Sequence, residues 1–154
     1  MIVTLKKANI ADCAEIHAMQ VKSFKVLLDK YKDISTNPGA EPIERIIERM
    51  NQDFTDYYFI KFETKHIGAI RIVRLHNNIC RISPMFILPE FQGKGYAQQA
   101  IMQVEALYPQ ANSWELDTIK EEAKLCHLYE NMGYKRTGKE EALQDNMVIV
   151  YYSK

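Results

Sequence analysis

The stretch that decides the fold runs from Arg81 to Tyr108, RISPMFILPEFQGKGYAQQAIMQVEALY. Ile82 to Leu88 is an apolar run of strand length, and Ala97, Ala100, Ile101, Val104, Leu107 and Tyr108 recur at helical spacing. Between them lie Pro89-Glu90-Phe91 and then Gln92-Gly93-Lys94-Gly95-Tyr96-Ala97. The pattern predicts a strand, a glycine-rich turn and an amphipathic helix. Gly93 and Gly95 let the backbone turn tightly and approach a ligand, because neither carries a Cβ. The first N–H groups of a helix lack intrahelical partners and lie at the positive end of its dipole. Such a turn suits a phosphate or pyrophosphate, with Lys94 as an added cationic donor. A plain tight turn has the same short Gly-x-Gly.

Two common phosphate loops do not fit. The turn lacks the Gly-Lys-Ser/Thr ending of a nucleotide-triphosphate loop, and Gln98 stands where a dinucleotide fingerprint has its third glycine. What the turn does match is Q/R-x-x-G-x-G/A, with Gln92, Gly95 and Ala97 in the fixed places. On these residues, and on Ile87-Leu88-Pro89 as a "V-x-P" strand end, the chain resembles the Gcn5-related N-acetyltransferase (GNAT) superfamily. The resemblance implies that Gln92, Gly93, Lys94, Gly95, Tyr96 and Ala97 hold the pyrophosphate of acetyl-coenzyme A. It also implies that the strand through Met85, Phe86 and Ile87 splays from its parallel neighbour, and that the pantetheine arm enters the gap. Pro84 fits such a bulge, since proline has no N–H for a ladder.

Working outward, Ile2, Val3 and Leu5 suggest a first strand, and Asn9 or Asp12 a cap for the following helix. That helix carries a broad stripe from Ala14 to Leu28, with His17 on or beside it in a structural or exposed role. Tyr31 to Ala40, with Ser35 to Gly39 inside it, reads as a loop, and Glu41-Pro42 opens a second helix with Ile43, Ile46, Ile47 and Met50 inward. Glu41, Glu44 and Glu48 suit attraction of a cationic amine, but a solvated helix face explains them equally well and is the default reading. Asp56 to Phe62, Ile67 to Leu75 and Ile79 to Leu88 form a three-stranded meander. After the glycine-turn helix come a strand at Trp114–Thr118, in a parallel crossover, and a helix at Glu121–Met132 closed by Gly133. Tyr134–Thr137 and Met147–Tyr152 give two paired strands. The fold class is thus α/β, with a mixed, mostly antiparallel sheet and about four helices over residues 1–154 as one domain, and the resemblance implies that the parallel pair is splayed.

Composition narrows the class. Lys plus Arg and Asp plus Glu are each 20, so there is no basic excess for nucleic acid. The three cysteines, Cys13, Cys80 and Cys126, show no metal or disulfide spacing, which favours a cytoplasmic compartment and no metal. The start has no signal-peptide layout, and no apolar run approaches the ~20 residues that span a bilayer.

A second run, Leu128-Tyr129-Glu130-Asn131-Met132-Gly133-Tyr134, resembles the superfamily's "L-Y-E-x-x-G-F". The resemblance gives Tyr129 the role of general acid toward the leaving thiol. By itself Tyr129 reads equally as a core residue. Glu122 departs from the family, which often has asparagine seven residues before the tyrosine. An alkyl amine of pKa ~10.4 is neutral in about one molecule in 2,500 at pH 7, so attack on a thioester needs a base, a water chain or a desolvating pocket. Asp117 is the candidate base, with Glu63 a second. A backbone N–H near Ile87 suits the thioester oxygen. Cys126 and His127 are adjacent on a helix, do not face each other, and read as structural.

The expected activity is acetyl transfer from acetyl-coenzyme A to a primary amine, on a small molecule or a protein. The alternative is a non-catalytic acyl-coenzyme A sensor, which has no need of Tyr129. An exposed final strand would allow a homodimer.

Overall fold

A computed structural model describes residues 2–154; Met1 lies outside the described residues. Seven strands form one sheet: β1 (Thr4–Lys7), β2 (Thr55–Phe62), β3 (Lys65–Arg74), β4 (Ile79–Ile87), β5 (Ser113–Ile119), β6 (Lys135–Gln144) and β7 (Met147–Ser153), in the spatial order β1-β2-β3-β4-β5-β7-β6. Four helices flank it: α1 (Cys13–Tyr31), α2 (Ile43–Met50), α3 (Tyr96–Leu107) and α4 (Ala123–Asn131). The expected fold class holds, with β4 and β5 as the parallel pair.

Alternation along the strands sorts side chains to two faces. Ile60, Ile70, Ile72, Ile82, Trp114 and Leu116 meet Ala100, Ile101 and Val104 of α3 and Tyr129 of α4 in the larger buried cluster. Tyr57, Phe59, Ala69 and Phe86 meet Ile16 and Met19 of α1 and Ile46 of α2 in a second cluster. The sheet is therefore covered by α3 and α4 on one face and by α1 and α2 on the other.

Local details depart from the sequence reading for identifiable reasons. β1 begins at Thr4 rather than Ile2, because Val3 is held by α3 instead of by a strand. Its N–H donates to Gln99 Oε1 at 2.8 Å, and its carbonyl accepts from Gln103 Nε2. Asn9 caps a short 3-10 turn, Ile10–Asp12, in a capping box with Asp12, and α1 follows directly. The final strand, β7, is not an edge: it lies between β5 and β6, and β6 is the exposed border. β6 is longer than expected because its Lys- and Glu-rich run, solvated on both sides, carries no apolar alternation to mark it.

Candidate active site

β4 carries the features that make a site. Its ladder to β5 contains three residue pairs, Ile79↔Ser113, Cys80↔Trp114 and Arg81↔Glu115. β4 then continues along β3 as far as Ile87↔Gly68, while β5 continues along β7 as far as Ile119↔Ile149. The parallel neighbours thus part company after Arg81 and Glu115. From Ile82 onward the β5-side edge of β4 has no strand partner among the described residues. On its other edge β4 carries a bulge. Ile70↔Met85 and Ile72↔Ile82 are paired, so Arg71 alone stands opposite Ser83 and Pro84. The extra residue keeps both Ile82 and Met85 on the α3/α4 face.

Gly68 lets β3 approach β4 closely at the far end. A Cβ there would overlap the Phe86 carbonyl oxygen and press on Ile87 Cα. The Leu88 N–H donates to the Ile67 carbonyl at 2.8 Å, and Gln92 Nε2 donates to the Ile87 carbonyl at 2.8 Å. The strand end and the turn that follows are therefore tied together.

Gly93 and Gly95 have φ of 75° and 83°, left-handed values that a side chain disfavours. A Cβ on either would meet open space. Gly95 is the N-cap of α3 and no side chain caps that end. Among the described residues, the N–H groups of Gly93, Lys94 and Gly95 donate to no backbone carbonyl. An uncapped twelve-residue helix preceded by free amides, with space above them, fits a pyrophosphate.

Tyr129 lies below the parting strands. It is buried in the cluster that holds Ile82 and Leu116, the first residues beyond the last β4–β5 pair. Tyr134 and Tyr152 flank its ring, each at a centroid distance of 6.3 Å. Burial raises its hydroxyl pKa far above the usual phenol value, with the charge of Asp117 and the nearby Cys126 adding to the shift. The phenol is consequently protonated across the working pH range and is a donor, not a base.

Asp117 projects from β5 to the α1/α2 side, where its carboxylate is ion-paired with the Arg81 guanidinium. The pair bridges β4 to β5 from the last ladder rung, which holds Arg81, to Asp117 two residues beyond it. The sequence-expected base is thus occupied by a cation that sequence spacing did not reveal. Glu63 sits in the exposed β2–β3 turn at φ 56°. Cys126 is buried, its Sγ facing the Ile119 and Lys120 carbonyls, in keeping with a structural role. Glu122 binds Tyr31 Oη at 2.5 Å and Lys30 Nζ at 2.6 Å, tying α1 to the start of α4.

On the α1/α2 side lies a polar cluster that the sequence reading missed. Glu41 is not solvated: its oxygens accept from Arg49 at 3.0 and 2.8 Å and from Gln20 at 2.9 Å, and its carbonyl meets His17 Nε2 at 3.0 Å. Arg71, facing Tyr57 across the β2–β3 ladder, donates to the Ser83 carbonyl at 2.8 Å. The signal for it was available: Arg71 is a lone cation inside the apolar run Ile67–Val73.

An uncapped glycine turn, a parted strand pair and a buried phenol beneath the fork lie together at one end of the sheet. Residues 24–134 match the Acetyltransferase (GNAT) family, and the chain belongs to that family. Comparison with curated protein sequences returned no match. Solved structures similar in fold include an acetyltransferase from Thermus thermophilus, with 11% identity, TM-score 0.76, and coverage of 100% of this chain and 97% of that one. Another is the spermidine N-acetyltransferase of Vibrio cholerae in complex with CoA and spermine, with 17% identity, TM-score 0.77 and coverage of 99% and 94%. The microcin C7 self-immunity acetyltransferase MccE in complex with acetyl-CoA and AMP shows 20% identity, TM-score 0.73 and coverage of 99% and 92%.

Proposed function

We propose that this acetyltransferase moves an acetyl group from acetyl-coenzyme A to a primary amine by direct attack. The observation that carries the reading is the fork after Arg81↔Glu115, with the free amides of Gly93–Gly95 at its mouth and Tyr129 beneath it. The turn Gln92–Ala97 holds the pyrophosphate. Met85, Phe86 and Ile87 offer an unpaired strand edge to the amide-bearing arm of the donor, which supplies the reactive thioester. An N–H near Ile87 polarises the thioester oxygen.

Tyr129 faces the sulfur that leaves. A thiol has a pKa of ~8.5, so a phenol held far above 10 stabilises the thiolate by donating a hydrogen bond rather than surrendering its proton outright. The amine loses one proton as the new C–N bond forms and the C–S bond breaks, and the thiol gains one. The protons therefore balance through solvent: water takes the proton that the amine loses and returns one to the thiolate, which Tyr129 holds by a hydrogen bond. In this reading Asp117 holds the fork through Arg81, and water takes the first proton from the ammonium.

The Asp117–Arg81 pair also favours a second reading, in which the chain binds an acyl-coenzyme A without transferring the acyl group, since it takes up the carboxylate expected to serve as base. One experiment separates the two. Acetyl-coenzyme A is supplied with panels of small amines and lysine peptides, and free thiol is followed. Thiol release that depends on an amine supports transfer. Tight donor binding with no release from any amine supports the sensor.

A further inference from the structure

Among the described residues, four buried side-chain polar atoms lack a hydrogen-bond partner: Gln20 Oε1, Ser23 Oγ, Tyr57 Oη and Arg71 Nε. Their residues come from α1, β2 and β3, and the Tyr57 and Arg71 side chains lie on the sheet face covered by α1 and α2. Unpartnered buried polar atoms are costly, and two of them, on Tyr57 and Arg71, belong to residues directly opposed on neighbouring strands.

Two of them belong to one charged cluster. Arg71 is 8% exposed and Tyr57 1%, and they are directly opposed across the β2–β3 ladder. Arg49 approaches from α2, bound to Glu41 through both guanidinium nitrogens. The half-exposed Arg45 also lies 3.9 Å from Glu41, so that carboxylate is already taken and none is left for Arg71. The remaining carboxylate nearby, Asp117, is taken by Arg81. Arg71 itself receives only neutral acceptors, the Ser83 carbonyl and, at 3.4 Å, Gln52 Oε1. Burial, and then repulsion from Arg49, pull its pKa down to about 10. Burial raises that of Tyr57, so the phenol stays neutral and adds no counter-charge. One buried positive charge is left over. A buried cation without a counter-ion is unfavourable, and arginine's planar fork matches a carboxylate.

Position gives the surplus a meaning. Arg71 is the β3 residue opposite the β4 bulge, one register step from the fork, and its guanidinium holds the Ser83 carbonyl. The cluster lies on the sheet face opposite α3, α4 and Tyr129. An acceptor reaching the fork from that face meets Arg49 and Glu41 first, the solvent-reached members at 18% and 14% side-chain exposure, and then Arg71.

Resting on the transfer reading above, we infer that the acceptor is an amine bearing a carboxylate, held by Arg71 Nε, Tyr57 Oη and Arg49, with its amine directed to the fork. Each unpartnered group of the Arg71–Tyr57 pair then gains an oxygen, and the surplus charge gains its counter-ion.

The test compares amines matched in size. β-Alanine, glycine and γ-aminobutyrate are set against ethylamine, putrescine and spermidine, with acetyl-coenzyme A as donor and free thiol as readout. Carboxylate-bearing amines are expected to show kcat/KM at least about tenfold higher, as for one charge-assisted hydrogen bond. Arg71→Lys and Tyr57→Phe are expected to raise KM for those amines while leaving KM for acetyl-coenzyme A unchanged. Tyr57→Phe keeps the buried ring, and a urea midpoint close to that of the wild type checks that it folds. Separately from turnover, the Arg71 Nε–H resonance is followed by NMR with coenzyme A present, and it should shift saturably with β-alanine and not with ethylamine. Equal use of carboxylate-free amines with indifference to both substitutions overturns the inference while transfer stands. If no amine releases thiol, transfer falls, and the Arg71 resonance alone decides the anion site: a silent resonance removes it.

Discussion

Arg81 and Asp117 form an ion pair across the two strands that are about to separate: Arg81 belongs to the last opposed pair, Arg81↔Glu115, and Asp117 lies two residues beyond Glu115. Backbone pairing stops where this side-chain bridge begins. The bridge thus stands at the point where the fork opens, and we expect it to act there as a clamp between the two strands.

If Asp117 acts as a clamp, Asp117→Asn should retain most of the turnover, within about fivefold, because a lost general base costs about 10²-fold or more. Stability should fall by about 1 kcal/mol or less, since both side chains are roughly a quarter to a third exposed. Steady-state kinetics and urea unfolding give both numbers. A drop of 10²-fold in kcat, with the pH–rate profile losing its acid limb, would return Asp117 to the role of base.

Tyr129→Phe keeps the ring contacts with Tyr134 and Tyr152 and removes only the hydroxyl. We expect kcat to fall by about 10²-fold, with KM for acetyl-coenzyme A changed less than twofold. Because burial holds the phenol pKa well above the usual value, the wild type should show no loss of kcat from Tyr129 ionisation up to pH about 10. Unchanged turnover in the phenylalanine variant would remove Tyr129 from the reaction.

Gly68→Ala tests whether close approach of β3 sets the strand end. The added Cβ collides with backbone, the Phe86 carbonyl, so β4 must move rather than a side chain rotate. Overpacking of this kind costs about 1–3 kcal/mol. The displaced segment leads straight into Gln92, whose amide is bonded to the Ile87 carbonyl. KM for acetyl-coenzyme A should therefore rise together with the loss of stability. Alanine at exposed Gly138, far from the turn, provides the comparison: strain from its φ of 94° without any effect on KM.

Much of this architecture was legible because its signals are local. Ile82–Leu88, the two loop glycines and the Leu128–Tyr134 run each encode a strand end, a turn or a helix face within a few residues, and all stand where the spacing put them. What escaped was non-local. Glu41 reads as a surface helix residue until Gln20, twenty-one positions earlier, and Arg49 are brought beside it. Asp117 reads as a free carboxylate until Arg81 arrives from the neighbouring strand, thirty-six positions away. The border strand was mistaken for β7 because the chain's last segment threads back between β5 and β6, a choice of sheet order that no periodicity records.

Glu122 provides a pH test with a definite sign. Burial pushes its carboxyl pKa up, but hydrogen bonds from Lys30 and Tyr31 outweigh this and hold it below the ordinary 4.5. With the folded value lower than the unfolded one, the unfolded chain binds more protons in the window below about 4.5. Stability from this group is thus fully present above that pH and is lost as pH falls through the folded value. Glu122→Gln still accepts from Tyr31 but loses the ion pair with a half-exposed Lys30, so at neutral pH it should cost about 1 kcal/mol or less. Urea midpoints measured from pH about 6.5 down to about 3 should fall more steeply for the wild type than for the variant, and the two curves should converge at the acid end. Parallel curves would mean that the α1–α4 tie through Glu122 carries no charge-dependent stability.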